Sequence, residues 1–213
     1  MKKILIIALT IIVISFIIGV SLYSYFPDRI ASHWGPNGEV NGYMPKFLGL
    51  FLMPIISIGI FILFYFIPKL DPLKKNYQDF QKYYDSFILI MIIFLFYIHI
   101  LTILWNLHVV FNMNHTLIPA LGFLFFYIGI LVKNLKRNWF IGIRTPWTIS
   151  NDKVWKKTHI LGSNLFMISG VITLFGIFLD GYFIWLVLVP ILISSIWLVI
   201  YSYLEWRKEQ KKK

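Results

Sequence analysis

Arg144 is the residue here best equipped for recognition chemistry. It stands in the run Gly142-Ile143-Arg144-Thr145-Pro146-Trp147-Thr148. A guanidinium presents five donors in a rigid fork, which suits a cluster of carbonyls, a phosphate or a lipid head group. The same charge on an ordinary surface loop does no more than fix topology. Trp155, Lys157, Thr158 and His159 follow closely, and Asn138 precedes. The whole polar segment 133–162 holds seven of the twenty lysines and arginines and three of the eight tryptophans.

Two further sets could do chemistry. His33, His108 and His115, with Asp28, Glu39 and Asp180, are a conceivable zinc set. There is no His-Glu-x-x-His pattern, and loose loop histidines are usually only loop residues. The expectation is no metal, no cofactor, no catalytic residue and no enzyme activity. The absence of cysteine removes disulfides, thiolate sites and cysteine nucleophiles. His99, Thr102 and Asn106, spaced i, i+3 and i+7, form a polar stripe that could line a path or hold elements together by hydrogen bonds. No Asp, Glu, Lys or Arg lies well inside an apolar segment, which counts against a proton-coupled carrier.

The elements that must position these residues are apolar. The chain is 59% hydrophobic and 14% charged. A soluble domain has roughly 45–50% apolar residues and about 25% charged ones. The apolar runs 4–26, 47–67, 86–105, 116–132, 163–179 and 182–204 are each long enough to span a bilayer or nearly so. The expected fold class is therefore an all-α polytopic membrane protein with six transmembrane helices. Ser15 and Gly19 could let a second helix approach the first. Residues 27–46, dense in Pro and Gly, read as a compact loop. The chain divides into 1–67, a two-helix part with that loop; 68–115, the third helix and its connections; and 116–213, three helices and the 133–162 loop. Within that loop Ser150 reads as an N-cap. The next residues read as a short amphipathic helix, with Val154, Trp155, Thr158 and Leu161 on one side and Lys153, Lys156 and Lys157 on the other.

Of the twenty lysines and arginines, eighteen fall on one side of this topology and two, Arg29 and Lys46, on the other. The positive-inside rule predicts that both termini and the 133–162 loop are cytoplasmic and that the 27–46 loop faces outside. The net charge of +11 is accounted for by topology and by attraction to anionic membrane lipids. No nucleic-acid partner is expected.

The run from Asn134 through Ile141-Gly142-Ile143-Arg144-Thr145-Pro146-Trp147-Thr148 to Trp155, Lys157, Thr158 and His159 resembles the signature of the SdpI family of bacterial and archaeal membrane proteins. Pro27, Ile30, His33, Trp34, Gly38, Gly42 and Lys46 resemble the small domain of unknown function that often precedes it, with Ala31 where proline is usual. The resemblance implies a non-catalytic protein of the immunity and signalling kind. Such a protein resists a membrane-active toxic peptide met on the outer side and sequesters a cytoplasmic transcriptional repressor. It implies outer-loop recognition by Pro27, Ile30, His33, Trp34, Gly38, Gly42 and Lys46. It implies cytoplasmic partner binding by Asn138, Gly142, Arg144, Thr145, Pro146, Trp147, Thr148, Trp155, Lys157, Thr158 and His159. A small-molecule or lipid transporter or channel, and a membrane enzyme, stand as the alternatives.

Overall fold

The computed structural model describes residues 2–179 and 181–212. Its helices are α1 (Lys2–Leu22), α2 (Lys46–Leu70), α3 (Gln81–Asn106), α4 (Met113–Asn134), the short α5 (Pro146–Ser150), α6 (Asp152–Leu174) and α7 (Phe183–Gln210). Among the described residues, all but α5 are long and apolar enough to cross a membrane, which makes six spans. In lipid every backbone N–H and C=O must find a partner within the protein, and a helix supplies them all locally. The outward faces carry large apolar side chains such as Ile6, Leu63, Phe123, Ile168 and Ile193, as contact with acyl chains requires.

Helix contacts in a bilayer gain nothing from expelling water between apolar faces, so close packing must carry them. The most extensive contact joins α4 and α6. Gly122, Gly129 and Gly170 lie along it. A methyl group at Gly129 would stand 2.7 Å from the Ser163 carbonyl oxygen, and one at Gly170 would stand 2.6 Å from that of Gly122. The expected close approach at Gly19 is present, where a methyl would meet the Phe51 ring of α2 at 2.9 Å.

Residues 27–46 differ from the expected loop. They form an antiparallel hairpin, β1 (Arg29–Trp34) and β2 (Val40–Pro45), with Ile30 opposite Met44 and His33 opposite Gly42. Short segments rich in branched and aromatic residues flank the Gly-Pro-Asn-Gly turn, and the turn's density of breakers conceals them. Gly38 takes φ +79° at the tip, a conformation that glycine adopts without strain. Ile30, 1% exposed, plugs against Gly49 of α2, where a Cβ would collide with its side chain.

The fifth span also differs. The expected short surface helix is the start of α6, which runs unbroken from Asp152. Its N-cap is Asn151, not Ser150: the Asn151 Oδ1 accepts from the Lys153 and Val154 amides at 2.8 and 3.2 Å. Gly162 does not break the helix, because it lies buried against Ile143 and Leu198. Trp155 is accordingly packed inside the protein and not turned down into the membrane.

The helices alternate in direction, so the molecule has two ends. The hairpin, the α3–α4 connection and the α6–α7 turn share one. Both termini, the 71–80 connection and the 135–151 loop share the other.

Candidate functional site

The 135–151 loop is built from the residues of its own signature and pinned by neighbours. Asn138, 0% exposed, is satisfied on every side. Its Oδ1 accepts from the Phe140 and Ile141 amides at 3.0 and 2.7 Å, and its Nδ2 donates to the Lys136 and Ile141 carbonyls. This shapes a tight turn. Asp71, at the end of α2 and 2% exposed, holds that turn in place. Its Oδ2 accepts from the Trp139 amide at 2.8 Å and the Tyr77 hydroxyl at 3.2 Å, and its Oδ1 accepts from the Leu73 amide at 2.7 Å. Burial, then the Asp71 charge and the bond to it, push the Tyr77 hydroxyl well above its usual pKa, so it stays a donor. Arg144 donates to the Trp139 carbonyl at 2.6 Å. The guanidinium thus clamps the loop's own backbone while remaining exposed.

Gly142 has φ +108°, and a Cβ there would fall 2.5 Å from His159 Nε2. That space is used: the Ile143 amide donates to His159 Nε2 at 3.1 Å, and His159 Nδ1 pairs with the Trp155 carbonyl at 2.8 Å. A neutral imidazole with its proton on Nδ1 meets both demands. Trp155 stacks on the same ring at 3.9 Å and donates from Nε1 to the Leu135 carbonyl. Thr145 and Thr148 form a capping box around Pro146 at the first position of α5, which lets a five-residue helix hold. Thr145 Oγ1 also lies 3.0 Å from Ser202 Oγ of α7, and Trp147 packs on Tyr203 with ring centroids 5.1 Å apart.

Lys157 faces α7. Its Nζ reaches Glu205 at 2.7 Å and Glu209 at 3.3 Å. Lys153, Lys208 and Lys212 complete a network around these two carboxylates, whose side chains are only 6% and 9% exposed. Thr158, next to Lys157 in the chain, is fully buried. The predicted residues of this loop therefore come together, in two layers. Asn138, Gly142, Thr145, Thr148, Trp155 and His159 set the backbone, and Thr158 is buried without a hydrogen bond to it. Arg144, Pro146 and Lys157 are exposed and Trp147 is half-buried. Trp139 and Phe140 are exposed on the same surface.

The reading of the sequence missed Asp71, Tyr77, Glu205, Glu209, Ser202 and Tyr203. Two signals pointed to them. An acidic residue at a helix C-terminus opposes the macrodipole and needs another reason to be there, which fits Asp71. Glu205 and Glu209 repeat the four-residue spacing of Lys153 and Lys157, as two facing helical rows would.

At the other end the hairpin is held by two asparagines. Asn106 Oδ1 accepts from the Ala31 amide at 2.8 Å, and its Nδ2 donates to the Ala31 carbonyl at 3.0 Å. Asn114 donates to the Gly35 and Pro36 carbonyls at 3.0 and 2.9 Å. The polar stripe on α3 thus acts as an attachment in part: Asn106 secures the hairpin, Thr102 bonds back to Ile98, and both ring nitrogens of buried His99 lack a hydrogen-bond partner. Lys46 pairs with Asp28 at 3.2 Å, His33 pairs with Asn41, and Trp34 meets Trp105 edge-on at 5.7 Å. Gly42 is required by the close approach of His33 Cβ, 2.9 Å from where its own Cβ would be. Pro27 is exposed. Among the described residues no three His, Asp or Glu side chains are placed to hold a metal ion; Asp180 lies outside the described residues.

Comparison with known proteins finds a match in each half of the chain. Residues 134–202 match the SdpI/YfhL protein family, and residues 10–58 match DUF1648, a domain of unknown function. The chain is 27% identical over 206 residues to the immunity protein SdpI of Bacillus subtilis (strain 168), which covers 95% of this chain and 96% of that protein. No solved structure matches it. The two matched segments contain the pinned loop and the hairpin, and the chain is a multi-pass membrane protein similar to the SdpI/YfhL proteins over residues 134–202.

Proposed function

We propose that this protein gives the cell that makes it resistance to a membrane-active toxic peptide, without catalysis, and that its signature loop docks a cytoplasmic partner such as a transcriptional repressor. The observation that carries this is the end-to-end similarity to an immunity protein, which includes both the hairpin and the loop. The charge distribution supports a cytoplasmic position for the lysine-rich end. The hairpin then offers His33, Trp34 and Tyr43 outside to an amphipathic peptide. Arg144, Trp147, Trp139 and Phe140 offer a cationic and aromatic surface inside, the composition that protein interfaces favour. α3 and α4 join the two, because Asn106 and Asn114 grip the hairpin while their far ends pack under the loop.

The test is expression in a sensitive host followed by challenge with membrane-active peptides. Wild type should raise the survival of the host, and Arg144→Ala with Trp147→Ala should abolish the repressor-docking arm at unchanged membrane levels. Survival equal to that of the empty host with every peptide tried would overturn the reading.

A further inference from the structure

A cleft of about 510 Å³ opens at the loop end, with Tyr77 and Tyr84 among its lining residues. It lies between the start of α1, the end of α2, the 71–80 connection and the start of α3. Its size is that of a small-molecule site, roughly 300–1,000 Å³. Leu5, Phe64 and Ile88 supply apolar walls at the depth of the spans. Lys69, Lys74 and Lys75 stand around it, Lys69 in the last turn of α2 and the other two just beyond. Lys74 and Lys75 have no carboxylate partner among the described residues, and Lys69 rests over the Tyr65 ring at 3.7 Å. Asp85 also borders the cleft, but it is buried and already accepts from Gln81 at 2.6 Å. Three cations against one engaged carboxylate leave the opening positive.

We propose that this cleft binds one anionic phospholipid, its phosphate among Lys69, Lys74 and Lys75 and the upper part of an acyl chain against Leu5, Phe64 and Ile88. A free phosphate would gain nothing from the apolar walls, and a neutral lipid would gain nothing from the lysines. Only an anionic amphiphile matches both halves, and the membrane that surrounds the spans supplies it. The inference is independent of the immunity reading.

The test uses the full-length protein in detergent, stripped of lipid and offered phosphatidylglycerol, phosphatidylcholine of the same chains, or glycerol phosphate, with bound species counted by native mass spectrometry. Phosphatidylglycerol should be retained at one per protein at least tenfold more tightly than phosphatidylcholine, and glycerol phosphate should not be retained. Each lysine near a membrane surface contributes on the order of fivefold in affinity. Replacement of Lys69, Lys74 and Lys75 by glutamine should therefore cost tenfold or more. Replacement of Lys133, Lys136 and Lys156, at the same end but outside the cleft, should change retention by less than twofold. Leu5→Trp, which fills the cleft and alters no charge, should also lower retention. The proposal fails if the two lysine triples lose lipid equally, if both lipids bind alike, or if glycerol phosphate binds as well as phosphatidylglycerol.

Discussion

Replacing Asp71 with alanine removes the acceptor that ties the signature loop to α2. The Trp139 amide and the Tyr77 hydroxyl, at 2.8 and 3.2 Å, lose a charged partner. A hydrogen bond to a charged group contributes about 1.5–3 kcal/mol. Tyr77 retains a second acceptor in Asn138 Oδ1 at 3.4 Å, and this end of the molecule meets water, so the low end applies. Two bonds at that end make about 3 kcal/mol, which raises the open population of the loop on the order of a hundredfold. Trypsin can read this, because Lys136, Arg137 and Arg144 lie within the segment. When opening is fast relative to cleavage, the rate follows the open population. Purified Asp71→Ala in detergent should thus be cut within the loop about a hundredfold faster than wild type. Asp71→Asn, which keeps a neutral acceptor, should fall between. Cleavage of Asp71→Ala within threefold of wild type would refute the assignment of Asp71 as the anchor.

Gly142→Ala should open the same loop, because the backbone there has φ +108° and the new methyl displaces His159. A side chain held in so sparsely populated a conformation costs about 1–3 kcal/mol, and trypsin sensitivity checks it. Lys157→Glu and Glu205→Lys should each lower the yield of monodisperse protein, and the double exchange should restore it, as size-exclusion chromatography would show. Asn106→Ala should release the hairpin, because the buried Ala31 amide loses its partner. The loss is about 1–3 kcal/mol, and a cysteine placed at His33 should then react faster with a thiol reagent. With no native thiol in the chain, Asn37→Cys should be labelled by an impermeant reagent in intact cells and Ser150→Cys should not. Labelling of Ser150→Cys would invert the proposed orientation.

The spans were legible because a bilayer demands about twenty apolar residues in a row, and no tertiary contact can relax that demand. Gly142, Arg144, Thr145 and Trp155 were legible as a group, since their types are unusual between two apolar runs. Their roles were not. Arg144 reads as a free fork and in fact grips the Trp139 carbonyl. The start of α6 was misplaced because Lys153 and Lys157 look like head-group contacts until α7 brings Glu205 and Glu209 across to meet them. The hairpin was hidden for a related reason: two strands of six residues give little periodicity, and the support from Asn106 comes from seventy-five residues away.

The glycine seam between α4 and α6 has a mechanical consequence. Backbone atoms of the facing helix stand within 3.0 Å of where a Cβ would lie at Gly122, Gly129 and Gly170, and Leu174 and Met167 fill the space left at the first two. The pair is therefore a stiff beam, and the loop strung between its ends cannot change shape by flexing of its supports. A displacement delivered at the hairpin must travel as a tilt of the whole beam against α7 and the first three helices, and the ion-pair rows on α7 are where such a tilt would first be felt.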